Sequence, residues 1–415
     1  MSIRKIPGGV TVAKGFRAAD CAAGIKYQGR TDMAMIASDV PCTVAGTFTT
    51  NIVKAAPVLW DMDIVHHAAQ AQAVVVNAGI ANAATGETGL RHCRETAECV
   101  SGALGIPADS VLIGSTGVIG PNIPLDRIQY GVSTMVPRLS ATLEAGTAAS
   151  RAIMTTDTVN KEFAVTFDLP AADGSGSVAV HLGGMSKGSG MIHPNMCTML
   201  GYLTTDCAIS SALLQRALSA VVPDTFNMIS VDGDTSTNDT LLILANGLAG
   251  NRLIEAEDES YALFVKALES VCRDLAIRMA GDGEGATRLI EMRVFHVDTK
   301  ENARALARSV VASSLVKAMV FGRDANCGRI LCAMGYAGPV FDPDRVDLFL
   351  HGSEETLCFC RDGRVLSFDE EKALAILSEK EVHFSADLKS GDQEATAWGC
   401  DLTYDYVKIN GDYRS

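Results

Sequence analysis

Short runs rich in Val, Ile, Leu and Phe alternate along the chain with longer amphipathic stretches, and Gly, Asn or Asp closes most of them. The β-rich runs predict strands over residues 73–76, 110–113, 162–169, 177–182, 241–245, 289–297, 346–350, 381–388 and 396–409. Two stretches repeat apolar residues at three- and four-residue steps instead. One covers 259–280, through Phe264, Leu268, Val271, Leu275 and Met279 before Gly281; the other covers 301–320, through Ala303, Leu306, Val310 and Val316. Both predict amphipathic helices laid on a sheet. The Gly/Ser-rich piece 171–177 lies between two predicted strands and reads as a hairpin loop. No repeat or low-complexity tract marks a domain boundary. The pattern predicts a mixed α/β fold with extended antiparallel content near the C-terminus.

Composition narrows the function classes. The 415 residues carry 35 basic and 49 acidic side chains, a formal net charge of −14, so no basic excess is available to neutralise the phosphates of nucleic acid or an anionic membrane. With 47% hydrophobic and 20% charged residues, the chain has the makings of a large core. No apolar run reaches the ~20 residues of a membrane-spanning helix. Pro7, Gly8 and Gly9 interrupt any secretory apolar segment, so a cytoplasmic protein with reduced thiols is expected. None of the 12 Cys forms a Cys-x-x-Cys pair, and the spacings Cys327 to Cys332 and Cys358 to Cys360 do not fit a zinc site.

Candidate chemistry concentrates in residues 183–200, a predicted strand running through a Gly-rich loop into a hydroxyl at Thr198. A phosphate-binding loop needs Lys directly after its last Gly, whereas Lys187 precedes Gly188. The second Gly cluster, Gly281-Asp282-Gly283-Glu284-Gly285-Ala286, has dinucleotide-type spacing but follows a helix and leads to a strand, the reverse of the required order. Asp232-Gly233-Asp234 opens like a calcium loop, yet Thr237 and Ile243 occupy the positions of its turn Gly and closing Glu. A Thr or Cys nucleophile and a plain tight connection remain as readings of the 183–200 segment.

The run Lys187-Gly188-Ser189-Gly190-Met191-Ile192-His193-Pro194-Asn195-Met196, with Thr198-Met199-Leu200 after it, resembles the processing segment of the ornithine acetyltransferase family, the glutamate N-acetyltransferases of arginine biosynthesis. Further matches follow in order: Gly24-Ile25-Lys26, residues 77–83, Ser115-Thr116-Gly117-Val118-Ile119-Gly120, residues 153–158, Asp282-Gly283-Glu284-Gly285-Ala286-Thr287 and the closing 398–410.

The resemblance implies self-cleavage before Thr198, giving an α chain of 1–197 and a β chain of 198–415 that form one catalytic unit. It implies an α/β/β/α layered sandwich similar to N-terminal nucleophile hydrolases but with its own connectivity. Acetyl would pass from N2-acetylornithine to L-glutamate through an ester on Thr198, with ping-pong kinetics. Thr116 and Gly117 match the oxyanion-stabilising pair and are expected in a loop after the strand at 110–113. Thr155 or Thr156, Lys187, Glu284, Asn410 and Ser415 match the substrate contacts. No metal or cofactor is implied, acetyl-CoA is a candidate co-substrate, and a heterotetramer of two α and two β chains or a higher assembly is expected. The sequence departs from the family pattern at Cys197, where Ala is usual, and at Ser415, where Thr is usual. After cleavage the Thr198 amine, with a reference pKa of about 7.7–8.0, could take the hydroxyl proton; His193 is the alternative base. The competing functions are an N-terminal nucleophile aminopeptidase or amidase and a non-catalytic amino-acid binder.

Overall fold

A computed structural model describes residues 2–193 and 199–412, so Cys197, Thr198 and Ser415 lie outside the described residues. The chain divides into two compact units, each built from separated stretches. The first contains Met1–Gly188, Asn195–Pro223 and Thr235–Leu275; the second contains Ser189–Pro194, Asp224–Asp234 and Ala276–Ser415.

The strands up to the Gly-rich loop are β1 (Arg4–Ile6), β2 (Phe16–Cys21), β3 (Met33–Phe48), β4 (Gln70–Ala81), β5 (Val111–Ile119), β6 (Lys161–Pro170) and β7 (Ser177–Lys187). After it come β8 (Leu200–Thr205), β9 (Ile229–Ser230), β10 (Thr240–Ala245), β11 (Leu289–Val297), β12 (Asp347–His351), β13 (Thr356–Arg361), β14 (Arg364–Val365), β15 (Glu381–Asp387) and β16 (Gln393–Cys400).

The first unit holds a nine-stranded sheet in the order β1-β6-β7-β8-β10-β3-β4-β5, with β2 also paired to β3. Its middle is apolar on both faces, and residue alternation along the strands explains how. Ala34, Ile36, Val74, Val76 and Leu112 join one core cluster with Val58, Ala149 and Tyr202. Their neighbours Met33, Met35, Val75, Val111 and Ile113 turn to the opposite face and pack with Cys93, Ala97, Val132 and Met135. Each of the Val, Leu, Ile and Met side chains among them contributes roughly 1.5–3 kcal/mol by leaving water. The run Val74–Val76 is continuous because its strand, β4, runs parallel to β5 and is covered on both sides. β6 and β7 pair antiparallel from Lys161↔Ser186 to Pro170↔Ser177, which places the Gly/Ser-rich piece as the expected hairpin connection.

The second unit holds a seven-stranded sheet in the order β14-β13-β12-β15-β11-β16-β9. Along β11, Ile290, Met292 and Val294 are buried while Glu291, Arg293 and Phe295 between them are half-buried or exposed. The helix Lys300–Ala312 packs on β11 and β16 and buries Ala303, Leu306, Ala307 and Val310. The mixed α/β class therefore agrees with the sequence pattern.

Three sequence expectations need correction. The helix read over 301–320 is two helices, Lys300–Ala312 and Ser314–Gly322, bent by 54°. Ser313 sits at the break, where its hydroxyl accepts the amide of Val316 and caps the second helix. The strand read over 396–409 ends at Cys400, and a helix Tyr404–Gly411 follows. The Asp401 carboxylate turns the chain there by accepting the amides of Thr287 and Arg288 at 2.7 and 3.0 Å. Finally, Thr116 and Gly117 lie within β5, paired with Ala78 and Gly79 of β4, and not in a loop after a shorter strand.

Candidate active site

In the first unit, three of the sequence-predicted residues meet at one ammonium. Lys187 ends β7 and is buried. Its Nζ donates to Thr155 Oγ1 at 2.8 Å and to Thr116 Oγ1 at 3.2 Å. Thr155 lies in the loop that follows the helix Leu143–Ala152. Arg30 pins that loop by donating to the carbonyls of Met154, at 2.6 Å, and Thr155, at 3.2 Å. Thr156 is half-buried beside it, and Thr155 is the one of the pair whose hydroxyl reaches Lys187.

Asp157 organises the cluster. Its carboxylate accepts Lys161 Nζ at 2.7 Å, the Gly188 amide at 2.8 Å and the Thr155 amide at 3.1 Å. Burial opposes its ionisation, but the positive charges of Lys187 and Lys161, with the Gly188 amide, outweigh burial and hold the carboxyl well below the usual carboxylate range. The motif match included Asp157 without giving it a role. A lone Asp in a loop has no periodicity that would reveal a partner 30 residues away.

Gly117 is dictated by backbone contact. Its φ is +128°, and a Cβ there would stand 2.2 Å from the carbonyl carbon of Gly79 and 2.4 Å from its oxygen. β4 passes so closely here that Gly117 has no room for a side chain. The Gly24-Ile25-Lys26 motif borders the same place: Asp32 accepts the amides of Ala23 and Ile25 at 2.7 and 2.6 Å, and a Cβ on Gly79 would stand 2.9 Å from Lys26 Cβ.

The second unit groups the remaining described candidates. Glu284 is buried, and its carboxylate accepts Asn410 Nδ2 at 2.6 Å from the helix Tyr404–Gly411. The Glu284 amide donates to the Ser189 carbonyl at 3.0 Å, and Ser189 Oγ donates to the Asp282 carbonyl at 2.7 Å. Gly190 passes so near that a Cβ on it would lie 2.4 Å from the Glu284 carboxyl. Met191 follows with φ +56°, a left-handed conformation uncommon outside Gly. The chain then pairs with β9 and the residues after it: Val231 N donates to the Ile192 carbonyl at 2.6 Å, and the His193 ring meets Ser230 Oγ at 3.0 Å.

Burial, and then the positive charges of Arg308 and Lys317, push His193 down to about 4. Such an imidazole is neutral at pH 7 but too weakly basic to be a well-matched proton acceptor there. Among the described residues, no three His, Cys, Asp or Glu side chains converge as a metal site. No single described helix is long and apolar enough to cross a membrane.

Residues 17–415 match the model of the ArgJ family. The chain belongs to the ArgJ family. An ArgJ relative from Symbiobacterium thermophilum, named arginine biosynthesis bifunctional protein ArgJ, is 51% identical over 412 residues, covering 99% of each chain. A protein of the same name from Thermotoga neapolitana is 45% identical over 405 residues, covering 97% of this chain and 100% of its own. Among solved structures, an ornithine acetyltransferase from Mycobacterium tuberculosis, complexed with ornithine, is 39% identical with a TM-score of 0.42 and covers 48% of this chain and 100% of that one. The family expected from the motifs is thus the family matched, and the matched region holds the ArgJ segment from Lys187 to Leu200.

Proposed function

We propose that this chain is a self-processing glutamate N-acetyltransferase of arginine biosynthesis that moves acetyl from N2-acetylornithine to L-glutamate through an ester on Thr198. The observation that supports this reading most is the ArgJ match across 17–415, which includes the Lys187 segment and Thr198 at its end.

In processing, the Thr198 hydroxyl oxygen attacks the carbonyl carbon of Cys197. The C–N bond breaks, the hydroxyl proton passes to the departing nitrogen, and water then hydrolyses the ester. A free Thr198 amine and hydroxyl result, with a carboxylate on Cys197. In transfer, that hydroxyl attacks the acetyl carbonyl of N2-acetylornithine while the amine takes the proton; the low basicity of His193 favours the amine in this role. Ornithine leaves with a proton on its α-nitrogen, and the glutamate amine then attacks the acetyl ester.

Thr116 and Gly117 are assigned to the oxyanion. Lys187 and Thr155 are assigned to substrate, where the ammonium suits an α-carboxylate. Glu284 and Asn410 together offer acceptors and a donor for an amino group and its neighbours, and Ser415 is assigned to the same contacts. Acetyl-CoA as a second donor would acylate the same hydroxyl and release a thiol. The working form in this reading is a cytoplasmic assembly of two α and two β chains or a higher multiple.

Intact-mass measurement with an N-acetylornithine and glutamate assay tests this reading. Fragments of 1–197 and 198–415, glutamate-dependent release of ornithine, and loss of both in Thr198→Ala are expected. An acetyl adduct on Cys197 would move the nucleophile to the thiol, and peptide hydrolysis without glutamate-dependent turnover would make the protein an amidase.

A further inference from the structure

The stretch just ahead of the proposed cut is held by a carboxylate with no role in the acetyl transfer set out above. Asp232 Oδ2 accepts the Met191 amide at 2.6 Å, and Oδ1 accepts the Ile192 amide at 2.9 Å. Two consecutive N–H groups can aim at one carboxylate because Met191 adopts the left-handed conformation, which curls the backbone into an anion-accepting nest. Asp232 is itself braced by the Asp234 amide at 3.2 Å and by the Tyr406 hydroxyl at 3.3 Å, the latter from the C-terminal helix. Together with the Val231 amide on the Ile192 carbonyl, these bonds fix the backbone at Met191 and Ile192, and Cys197 follows five residues later in the sequence.

We propose that Asp232 is a positioning residue for self-cleavage, acting by holding the backbone of Met191 and Ile192, a few residues ahead of the proposed bond. This rests on the self-processing reading above. A strained conformation maintained by surrounding bonds is a common way of preparing a chain for reaction, and here the two strongest bonds use different oxygens of one carboxylate. Asn in its place keeps the shape but has only one oxygen, and its NH2 group would face an N–H.

Among the described residues, the titratable groups around the Asp232 carboxylate are Asp234 in the same turn, Tyr406 from the C-terminal helix and Cys400 at the end of β16. Burial raises the Asp232 carboxyl above its ordinary value, so its clamp weakens as pH falls through that raised value. The Tyr406 hydroxyl stabilises the ionised form, so Tyr406→Phe moves this loss to higher pH.

The test follows the uncut full chain from cell-free synthesis by intact mass, across a pH series, with melting temperature as a control. Asp232→Asn is expected to slow cleavage at neutral pH by about tenfold or more and to flatten the acid limb of the pH profile; Tyr406→Phe is expected to shift that limb upward. Cleavage of Asp232→Asn at the wild-type rate overturns the proposal. So does slowing that tracks a lowered melting temperature while the acid limb stays unchanged. A wild-type chain that is never cut, or is cut at another bond, instead sinks the processing reading, and that outcome is visible without either variant.

Discussion

Lys187 and Lys161 flank one fully buried carboxylate, and both members of the Lys161–Asp157 pair are excluded from solvent. Replacing Asp157 by Asn removes a buried carboxylate from beside two buried ammonium groups, and breaking comparable buried pairs costs about 3–5 kcal/mol. The sign with pH follows from the depressed carboxyl of the folded state. Its contribution is complete above the unfolded value near 3.9 and is lost as pH falls through the lower folded value. The stability gap between wild type and Asp157→Asn, measured by denaturant unfolding, should therefore be large at pH 7 and shrink below about pH 4. At Thr116 the roles of hydroxyl and backbone can be separated: Thr116→Ser should retain turnover, while Thr116→Val should lower kcat by up to ~10²-fold if the hydroxyl serves the oxyanion. Gly117→Ala should lower both kcat and melting temperature, because its methyl meets the Gly79 backbone; an unaltered melting temperature would contradict that packing. Lys187, Thr116 and Thr155 were readable from the sequence only through family motifs. Asp157 and Asp232 were not, since a carboxylate in a loop advertises neither its burial nor the amides it will accept.

The elements that sequence patterning located best are those whose two faces differ. β11 has the predicted bounds, with buried and more exposed residues alternating along it, and the long helix over 259–281 ends at the Gly expected to stop it. Misreadings arose where local composition and burial part company. Tyr404, Tyr406, Val407 and Ile409 have strand-type side chains, yet the helix they form buries none of them fully, and Tyr404 is 84% exposed. β3 was missed because Asp39, Pro41 and Gly46 punctuate its 16 residues; Asp39 and Pro41 fall where its register shifts between Ala37 and Cys42. The described part of the C-terminal helix is tied by Tyr406 to Asp232, by Asn410 to Glu284, and by an edge-on contact of the Tyr404 ring with Phe321 at 5.5 Å. These contacts all lie before residue 411, so removing residues 411–415 should leave a folded, cleaved protein. The kcat/KM for both N-acetylornithine and glutamate should fall, through loss of Ser415 and fraying of the turn that holds Asn410. Equal kcat/KM for both substrates in steady-state assays would place the chain end outside the site.

At the scale of the whole molecule, the strand order of the first sheet sets the terms on which a cut chain can survive. β8 begins two residues after Thr198, and with β10 it lies between β7 on one side and β3 on the other. β8 pairs with β7 from Leu200↔Lys187 to Thr205↔Leu182, and β10 pairs with β3 from Thr240↔Phe48 to Ala245↔Thr43. Every residue of β8 and β10 is buried. Cleavage before Thr198 would therefore leave two strands of one fragment inserted between strands of the other, and the fragments could part only by opening both ladders. Unfolding and dissociation become a single event, and return from it changes molecularity: an uncut chain refolds alone, whereas a nicked one must find its complement. Recovery of native fluorescence after denaturant dilution should be independent of protein concentration for Thr198→Ala and should rise with concentration for the cleaved protein. Equal recovery for both at every concentration would mean that the nicked halves find each other without a diffusive search. Concentration-dependent recovery would mean that cleavage makes the first folding privileged, since only the newborn, continuous chain has its complement already attached.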